Sequence, residues 1–447
     1  MNAPADLALP LFELHRARDS VLQLREMLLP PAEIKPSEAA SKYLRNDKGA
    51  WDQSSAPMMV EPLDLLASRR YTGIIFVGPA RTGKTFSLVH GGVCYAVCCA
   101  PGDILVTQMS QDAARDFSRG EVDRVIRHSP ALGERMSPRP RDDNTFDKFF
   151  RSGISLKLGW PAISQVSSKT LQYVFLTDYD RPENRDNVDG EGPLWDLAAK
   201  RVATYMSRGK ALAESSPAES LTNYSWRPNP DEPNAAPPVP GILSLYNRGT
   251  RARWHWKCQH CAEFFQAKPG IANFDLPDFD ELCKLVQRVD LMQAAVGFAH
   301  VACPHCGGVH EMTQRRALNA SGRWVHEGER IAPDGTITGE RRGTLIASYW
   351  LGGISATYAR WDHMILAYLQ AILTYTRSGD ETDLKATTIQ DQAAVYVPRA
   401  AVRRRSPEIL MERVEKLARA TVPEGVRFLT AQVDVQAHRF VVQVTGW

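Results

Sequence analysis

The residues Gly78-Pro79-Ala80-Arg81-Thr82-Gly83-Lys84-Thr85 fit the spacing G-x-x-x-x-G-K-[ST] without a mismatch. Such a turn points backbone N–H groups inward onto phosphate oxygens, and a following helix adds its positive N-terminal end. Lys84 is then the residue that reaches the terminal phosphates, and the Thr85 hydroxyl ligates Mg²⁺, so ATP with Mg²⁺ is the expected ligand. Arg81, inside the loop, reads either as a solvated side chain or as a charge folded over the γ-phosphate. A strand ending in acids should accompany the loop. Tyr173-Val174-Phe175-Leu176 runs into Thr177-Asp178-Tyr179-Asp180. Asp178 is the expected Mg²⁺ carboxylate, and Tyr179 then stands where a water-polarising Glu is usual. Asp180, Glu183 and Glu191 remain as candidates for the base. The plainer alternative is that Asp178 and Asp180 cap the next helix. The hydroxyls of Ser215 and Ser216 in Glu214-Ser215-Ser216-Pro217 read as γ-phosphate sensors or as a simple turn.

A second chemistry comes from Cys258-Gln259-His260-Cys261 and Cys303-Pro304-His305-Cys306, two Cys-x-x-Cys pairs. Zinc takes four such thiolates in a closed tetrahedral site, and binding turns metal affinity into folding energy. Two matched pairs suit structural Zn²⁺ better than a lone redox dithiol. His260 and His305 are spare and should be exposed, and residues 262–302 must loop out. Trp254 and Trp256, beside Arg251 and Arg253, either stack on nucleic acid or form the apolar face of the ribbon. Cys94, Cys98 and Cys99 read as small core residues.

The elements that must position these groups follow from pattern. From about residue 41 to 230, short apolar runs alternate with helical stretches, which implies an α/β fold with a mostly parallel sheet covered on both faces. Ile154 to Leu158 and the segment before Lys169 read as a hairpin. Residues 227–240 carry too many prolines for a helix or central strand and read as a boundary. The expected division is 1–40, a helical segment over 11–29 and a linker; 41–245, the phosphate-loop domain; 246–345, a zinc-ribbon-like region; 346–424, a linker with a helix near Trp361 to Thr374 and a basic cluster at Arg399, Arg403, Arg404 and Arg405; and 425–447, a β-hairpin that begins a further domain.

The chain has 447 residues with 54 Lys+Arg and 51 Asp+Glu, a net charge of +3. That excludes a wholly basic nucleic-acid binder while leaving room for a local basic groove. No apolar run approaches the roughly 20 residues that span a bilayer, and Asp6 and Glu13 stand where a secretory signal would be basic and then apolar, so no membrane partner or export is expected.

Together these residues resemble the large terminase subunit of tailed bacteriophages, the lambda-like GpA family of DNA-packaging motors. The resemblance runs from residues 51–62, similar to a segment that faces the adenine, through the phosphate loop and Gln108-Met109-Ser110-Gln111. It continues through Leu176 to Asp180 and Asp189-Gly190-Glu191-Gly192-Pro193, takes in the cysteine pairs, and ends in Ala431 to Trp447. It implies a motor that hydrolyses ATP to pump double-stranded DNA into a procapsid through a portal protein. The implied partners are a small terminase subunit and further copies of the chain, and the N-terminal helix reads either as a docking segment for that subunit or as a helix packed on the next domain. The implied location is the host cytoplasm and the procapsid portal. It also implies an RNase H-like endonuclease, joined here only by its first hairpin, with Asp434 as first metal carboxylate. By the same resemblance Arg81 is an arginine finger and Ser215-Ser216-Pro217 a coupling motif. The family's acidic strand is commonly Asp-Glu-x-Asp. If Asp180 is its last Asp, Asp178 takes the Glu place and Thr177 the first Asp, so Asp178 either binds Mg²⁺ or activates water. The later nuclease acids would lie beyond Trp447, so cutting is expected only of a longer chain. Two other readings are a helicase-like DNA translocase and a zinc-ribbon DNA-binding scaffold that binds nucleotide without turnover.

Overall fold

The computed structural model describes residues 34–166, 170–224, 226–399, 421–436 and 439–447. The expected helix over 11–29 and the arginines at 403–405 lie outside them. The described residues up to Pro398 form one compact unit, and those from Arg399 a second.

In the first unit a short ladder of β1 (Arg45–Asn46) and β2 (Gly49–Ala50) precedes the main sheet. The sheet then takes β3 (Gly73–Val77), β4 (Ile104–Thr107), β5 (Asp147–Phe149), β6 (Ser155–Gly159), β7 (Tyr173–Thr177), β8 (Lys210–Ser215), β9 (Ala252–Lys257) and β10 (Phe264–Gln266). After a separate pair, β11 (His300–Ala302) with β12 (Val309–Glu311), come β13 (Arg323–Val325), the small ladder of β14 (Glu329–Ile331) and β15 (Ile337–Gly339), and finally β16 (Ile346–Trp350). Across the sheet the order is β10-β9-β16-β3-β8-β7-β4-β6-β5, with β13 also paired to β9. From β9 to β6 the neighbours are parallel, and only β5, β10 and β13 run against them.

Every residue of β3, β4, β7 and β8 is buried, which is why these strands read as unbroken apolar runs rather than as alternation. Alternate side chains feed two cores. Ile74, Phe76, Ile104, Val106, Phe175 and Leu212 face the helix Gly91–Cys98, with Val93, Cys94 and Val97. Ile75, Val77, Leu105, Val174 and Ala213 face Trp195 and Ala198 of Leu194–Val202 and Tyr246 of Ile242–Arg248.

Two expectations need correction. The hairpin partner of β6 lies before it, not after: β5 pairs antiparallel to β6, while the other edge of β6 takes β4 in parallel. Residue 245 does not end the sheet, because β9 and β16 add to its β3 side, and β16 is the parallel neighbour of the phosphate-loop strand itself. The stretch 346–398, read as a linker with a helix near Trp361 to Thr374, therefore also supplies a central strand, while the helix itself is present as Trp361–Ser378 and is followed by Thr382–Gln390. Of the two readings left open for Trp254 and Trp256, the structure has the apolar one. Both are buried, and both indole Nε1–H groups point at Asn319 Oδ1, Trp256 at 2.8 Å. Arg251 is buried against Glu327 at 2.8 Å, and the buried Arg253 guanidinium lies 3.9 Å from the Trp350 ring centroid.

The second unit holds β17 (Leu429–Gln436) and β18 (Arg439–Gly446), an antiparallel pair that forms the expected hairpin, with Asp434 opposite Val441. Among the described residues, no helix is long and apolar enough to cross a membrane.

Candidate functional site

The loop leaves β3 at its carboxyl end. Its turn needs a left-handed residue at Gly83, φ 74°, and Arg81 also adopts φ 60°. A Cβ on Gly83 would also stand 3.3 Å from the Tyr358 ring. Within the loop the Thr82 hydroxyl donates to Pro79 O at 3.1 Å. Outside it, Ala80 N–H donates to Gln390 O at 2.8 Å and Tyr358 N–H to Arg81 O at 3.2 Å. Both outer supports come from the stretch after β16. The end of β8 holds the other side: Gly78 N–H donates to Ser215 O at 3.1 Å, and the Ser216 hydroxyl donates to Gly78 O at 3.0 Å. The Ser215 hydroxyl donates to Ser216 O and accepts from Asp180 N–H. Both serines are buried and tie the loop to its neighbouring strand.

The residue that pattern reading passed over is Glu214. It sits one position before those serines on β8, between β3 and β7, opposite Phe76 on one side and Thr177 on the other. Side-chain parity turns Glu214 and Thr177 to the same face as the helix that follows the loop. There Glu214 Oε1 accepts from the Thr85 hydroxyl at 2.8 Å and from the Thr177 hydroxyl at 2.6 Å. Lys84 Nζ lies 3.5 Å from Oε2, which is buried and has no hydrogen-bond partner among the described residues. Glu214 has no exposed surface. Burial pushes its carboxyl up, Lys84 opposes this, the charge of Asp178 adds to the rise, and the two hydroxyls again oppose it. The signal was present in the sequence as an acid closing the apolar run Ala211-Leu212-Ala213, but only strand order shows that it meets Lys84.

The acidic strand divides its residues differently from the expectation. Asp178 is half-buried at φ 49° where β7 ends, and its charge acts on Glu214. Tyr179 is buried in the opposite core. Asp180 is an anchor: Oδ2 accepts from Ala218 N–H at 3.0 Å, Oδ1 from Ile242 N–H at 2.7 Å, and Arg185 stands 3.6 Å away. Gly241 precedes that helix at φ 77°, where a Cβ would fall 2.4 Å from Asp180 Oδ1. Burial lifts the Asp180 carboxyl to about 6 against those N–H groups and Arg185. Glu183 and Glu191 are exposed, and among the described residues no hydrogen bond or ion pair joins either to Lys84, Thr85 or Glu214.

The cysteine pairs converge as their spacing predicts. The Sγ atoms of Cys258, Cys261, Cys303 and Cys306 all lie within 4.8 Å of one another, with Cys258–Cys306 at 3.8 Å and Cys261–Cys303 at 3.9 Å. A tetrahedron of thiolates about 2.3 Å from zinc has edges of roughly 3.8 Å. Each knuckle turns through a left-handed residue, Ala262 or Gly307. Backbone N–H groups of His260, His305 and Gly308 point at Cys258, Cys303 and Cys306 Sγ. The exposed His260 and His305 brace the knuckles crosswise, His260 Nε2 to Val309 O and His305 Nε2 to Phe264 O, each at 3.1 Å. The residues between the pairs hold β10 and the helices Phe279–Leu285 and Leu291–Phe298.

With this geometry in hand, the chain can be set beside known proteins. Residues 45–324 match the family described as phage terminase large subunit gpA, ATPase domain, and residues 346–447 match terminase large subunit gpA, endonuclease domain. The chain belongs to the phage terminase large subunit gpA family. The endonuclease match begins at 346, well before the hairpin expected to open that domain, and so takes in β16 of the sheet that carries the phosphate loop. The terminase large subunit of Enterobacteria phage P21 is 23% identical over 414 residues, covering 89% of this chain and 57% of the relative. The chain thus spans little more than half the length of that relative. The HK97 bacteriophage large terminase aligns over 42% of this chain and 38% of its own, at 13% identity and TM-score 0.32. The large terminase ATPase domain of Thermus phage P74-26 aligns over 38% and 73%, at 16% identity and TM-score 0.25.

Proposed function

We propose that this chain is the ATP-hydrolysing motor of a DNA-packaging subunit, driving double-stranded DNA into a procapsid. The carrying observation is the meeting of Lys84 and Thr85, from an intact phosphate loop, with the wholly buried carboxylate of Glu214 at the carboxyl edge of the parallel sheet. Ligands of open α/β sheets sit at that edge.

The donor set fits a magnesium nucleotide. Backbone N–H groups of residues 81–85 and the Lys84 ammonium would hold the phosphates, and the Thr85 hydroxyl with a carboxylate would hold Mg²⁺, which when bound neutralises phosphate charge. Water attacks the γ-phosphorus in line, the bond to the β,γ-bridging oxygen breaks, and ADP leaves. Asp178 is the carboxylate suited to orient that water and take its proton, and Arg81, exposed on the loop, to stabilise charge on the transferring group. Ser215 and Ser216 suit a coupling role because their bonds to Gly78 join loop and strand. The four thiolates fit a structural Zn²⁺. DNA is gripped through its phosphates. The small terminase subunit, the portal protein and further copies of the chain are the partners, and the host cytoplasm and the procapsid portal the place of work. Asp434, on the first strand of the hairpin, suits a metal carboxylate of the endonuclease.

The test is steady-state phosphate release with a labelled ATP analogue titrated in parallel. Saturable, Mg²⁺-dependent nucleotide uptake with turnover is expected, and DNA binding that weakens steeply with salt. Uptake without turnover would leave the scaffold reading, and strand displacement on a forked duplex the helicase-like one.

A further inference from the structure

We infer that the magnesium-shell carboxylate of this ATPase is Glu214 on β8, standing in for the acid that β7 replaces by Thr177. The inference rests on the ATPase reading above and deepens it. A phosphate loop works with an acid at the end of a neighbouring strand, close enough to accept from the loop's own Ser or Thr. The residue here that accepts from Thr85 is Glu214, at 2.8 Å. Thr177 is its register partner and donates to the same oxygen at 2.6 Å. β8 lies between β7 and the loop strand β3, so a carboxylate moved from β7 to β8 stands one strand nearer the loop, and the longer Glu side chain still reaches Thr85.

The hydrogen bonding agrees. A threonine hydroxyl has one proton and two lone pairs. Thr85 and Thr177 both give their protons to Glu214 Oε1, which leaves Thr85 lone pairs for a cation and Thr177 lone pairs for a metal-bound water. Glu214 Oε2 is buried without a hydrogen-bond partner among the described residues. A buried carboxylate persists when it is paired or holds a metal. Its cation here is Lys84 at 3.5 Å, the residue that nucleotide phosphates attract. With Lys84 engaged by phosphates, Glu214 and the Thr85 hydroxyl would be the groups left to hold Mg²⁺, which would supply the charge that keeps the buried carboxylate ionised. Asp178, past the end of β7 and turned by its left-handed backbone, is then free of the metal shell and available to orient water.

The test measures metal-dependent nucleotide binding, not only turnover. A fluorescent ADP analogue is titrated with Mn²⁺ or with EDTA, and bound Mn²⁺ is read by electron paramagnetic resonance. In Glu214→Gln the affinity gained from Mn²⁺ should fall roughly tenfold or more, while binding in EDTA is kept or improved because a charge beside the phosphates is gone. Asp178→Asn should keep the Mn²⁺ gain and lose turnover. Adding Thr177→Asp to Glu214→Gln should return the metal dependence. A Glu214→Gln protein that keeps its full Mn²⁺ gain overturns the assignment, as does loss of that gain in Asp178→Asn. Should Glu214→Gln fail to fold, Fe²⁺ with ADP and peroxide on the unsubstituted chain maps the metal: cleavage at residue 214 supports the assignment, and none there overturns it. Failure of the ATPase reading looks different, since the unsubstituted chain would then bind no nucleotide with or without metal.

Discussion

At the cysteine cluster two tight turns deliver all four sulfur atoms, and each turn brings its own N–H groups to them. At the phosphate loop, Thr85 meets its carboxylate 129 positions later in the chain, on a strand placed by the order of the sheet, and Lys84 beside it meets the same carboxylate. The loop's outer arm hangs from residues 358 and 390, further on still. A site made of local turns is readable from spacing. A site assembled at a sheet edge depends on which strands become neighbours.

That contrast can be broken experimentally, beginning with the largest effect. Cys303→Ser should abolish zinc binding and destabilise the segment 258–311 by more than about 4 kcal/mol, the range reached when a metal site is lost. Elemental analysis and hydrogen exchange read both, while nucleotide affinity should hold near the unsubstituted value. Unchanged exchange in that segment would show that zinc contributes nothing to the fold.

Lys84→Ala does the converse. It should cut phosphate release by about 10³-fold, roughly 4 kcal/mol of lost charge stabilisation, and leave the zinc content alone. Turnover close to normal would mean that another loop holds the phosphates.

A smaller effect sits at Asp180. Burial raises its carboxyl from 3.8 to about 6. Between those values the folded chain holds a proton that the unfolded chain has released. Stability therefore falls as pH rises from about 4 to about 6, by about 2–3 kcal/mol from this group. Denaturant titrations of the unsubstituted chain and Asp180→Asn should differ in slope over that window. Equal slopes would remove Asp180 from the account. The smallest change is His260→Ala, which loses the brace to Val309 O and should cost about 1 kcal/mol in thermal unfolding.

Pattern reading located the phosphate loop, the apolar strands and the cysteine pairs because each is written in adjacent residues. It put Trp254 and Trp256 in an undecided state, since an aromatic stripe is the same in sequence whether it faces a nucleic acid or Asn319. It offered Asp180 as a base because an acid at a strand end looks alike whether it faces a phosphate or, as here, the N–H groups of Ala218 and Ile242. It ended the sheet near 245 because the prolines of 227–240 break any regular element, yet the chain returns afterwards to β9 and β16.

The sequence alone settled which backbone turns this chain can make. Glycine and Cys-x-x-Cys spacing restrict local dihedral angles and short reaches, and those restrictions do not depend on the rest of the fold. Only the tertiary structure decided which acid meets the lysine, because parallel neighbours in a sheet are joined through distant crossovers whose order leaves no mark on the residues between them.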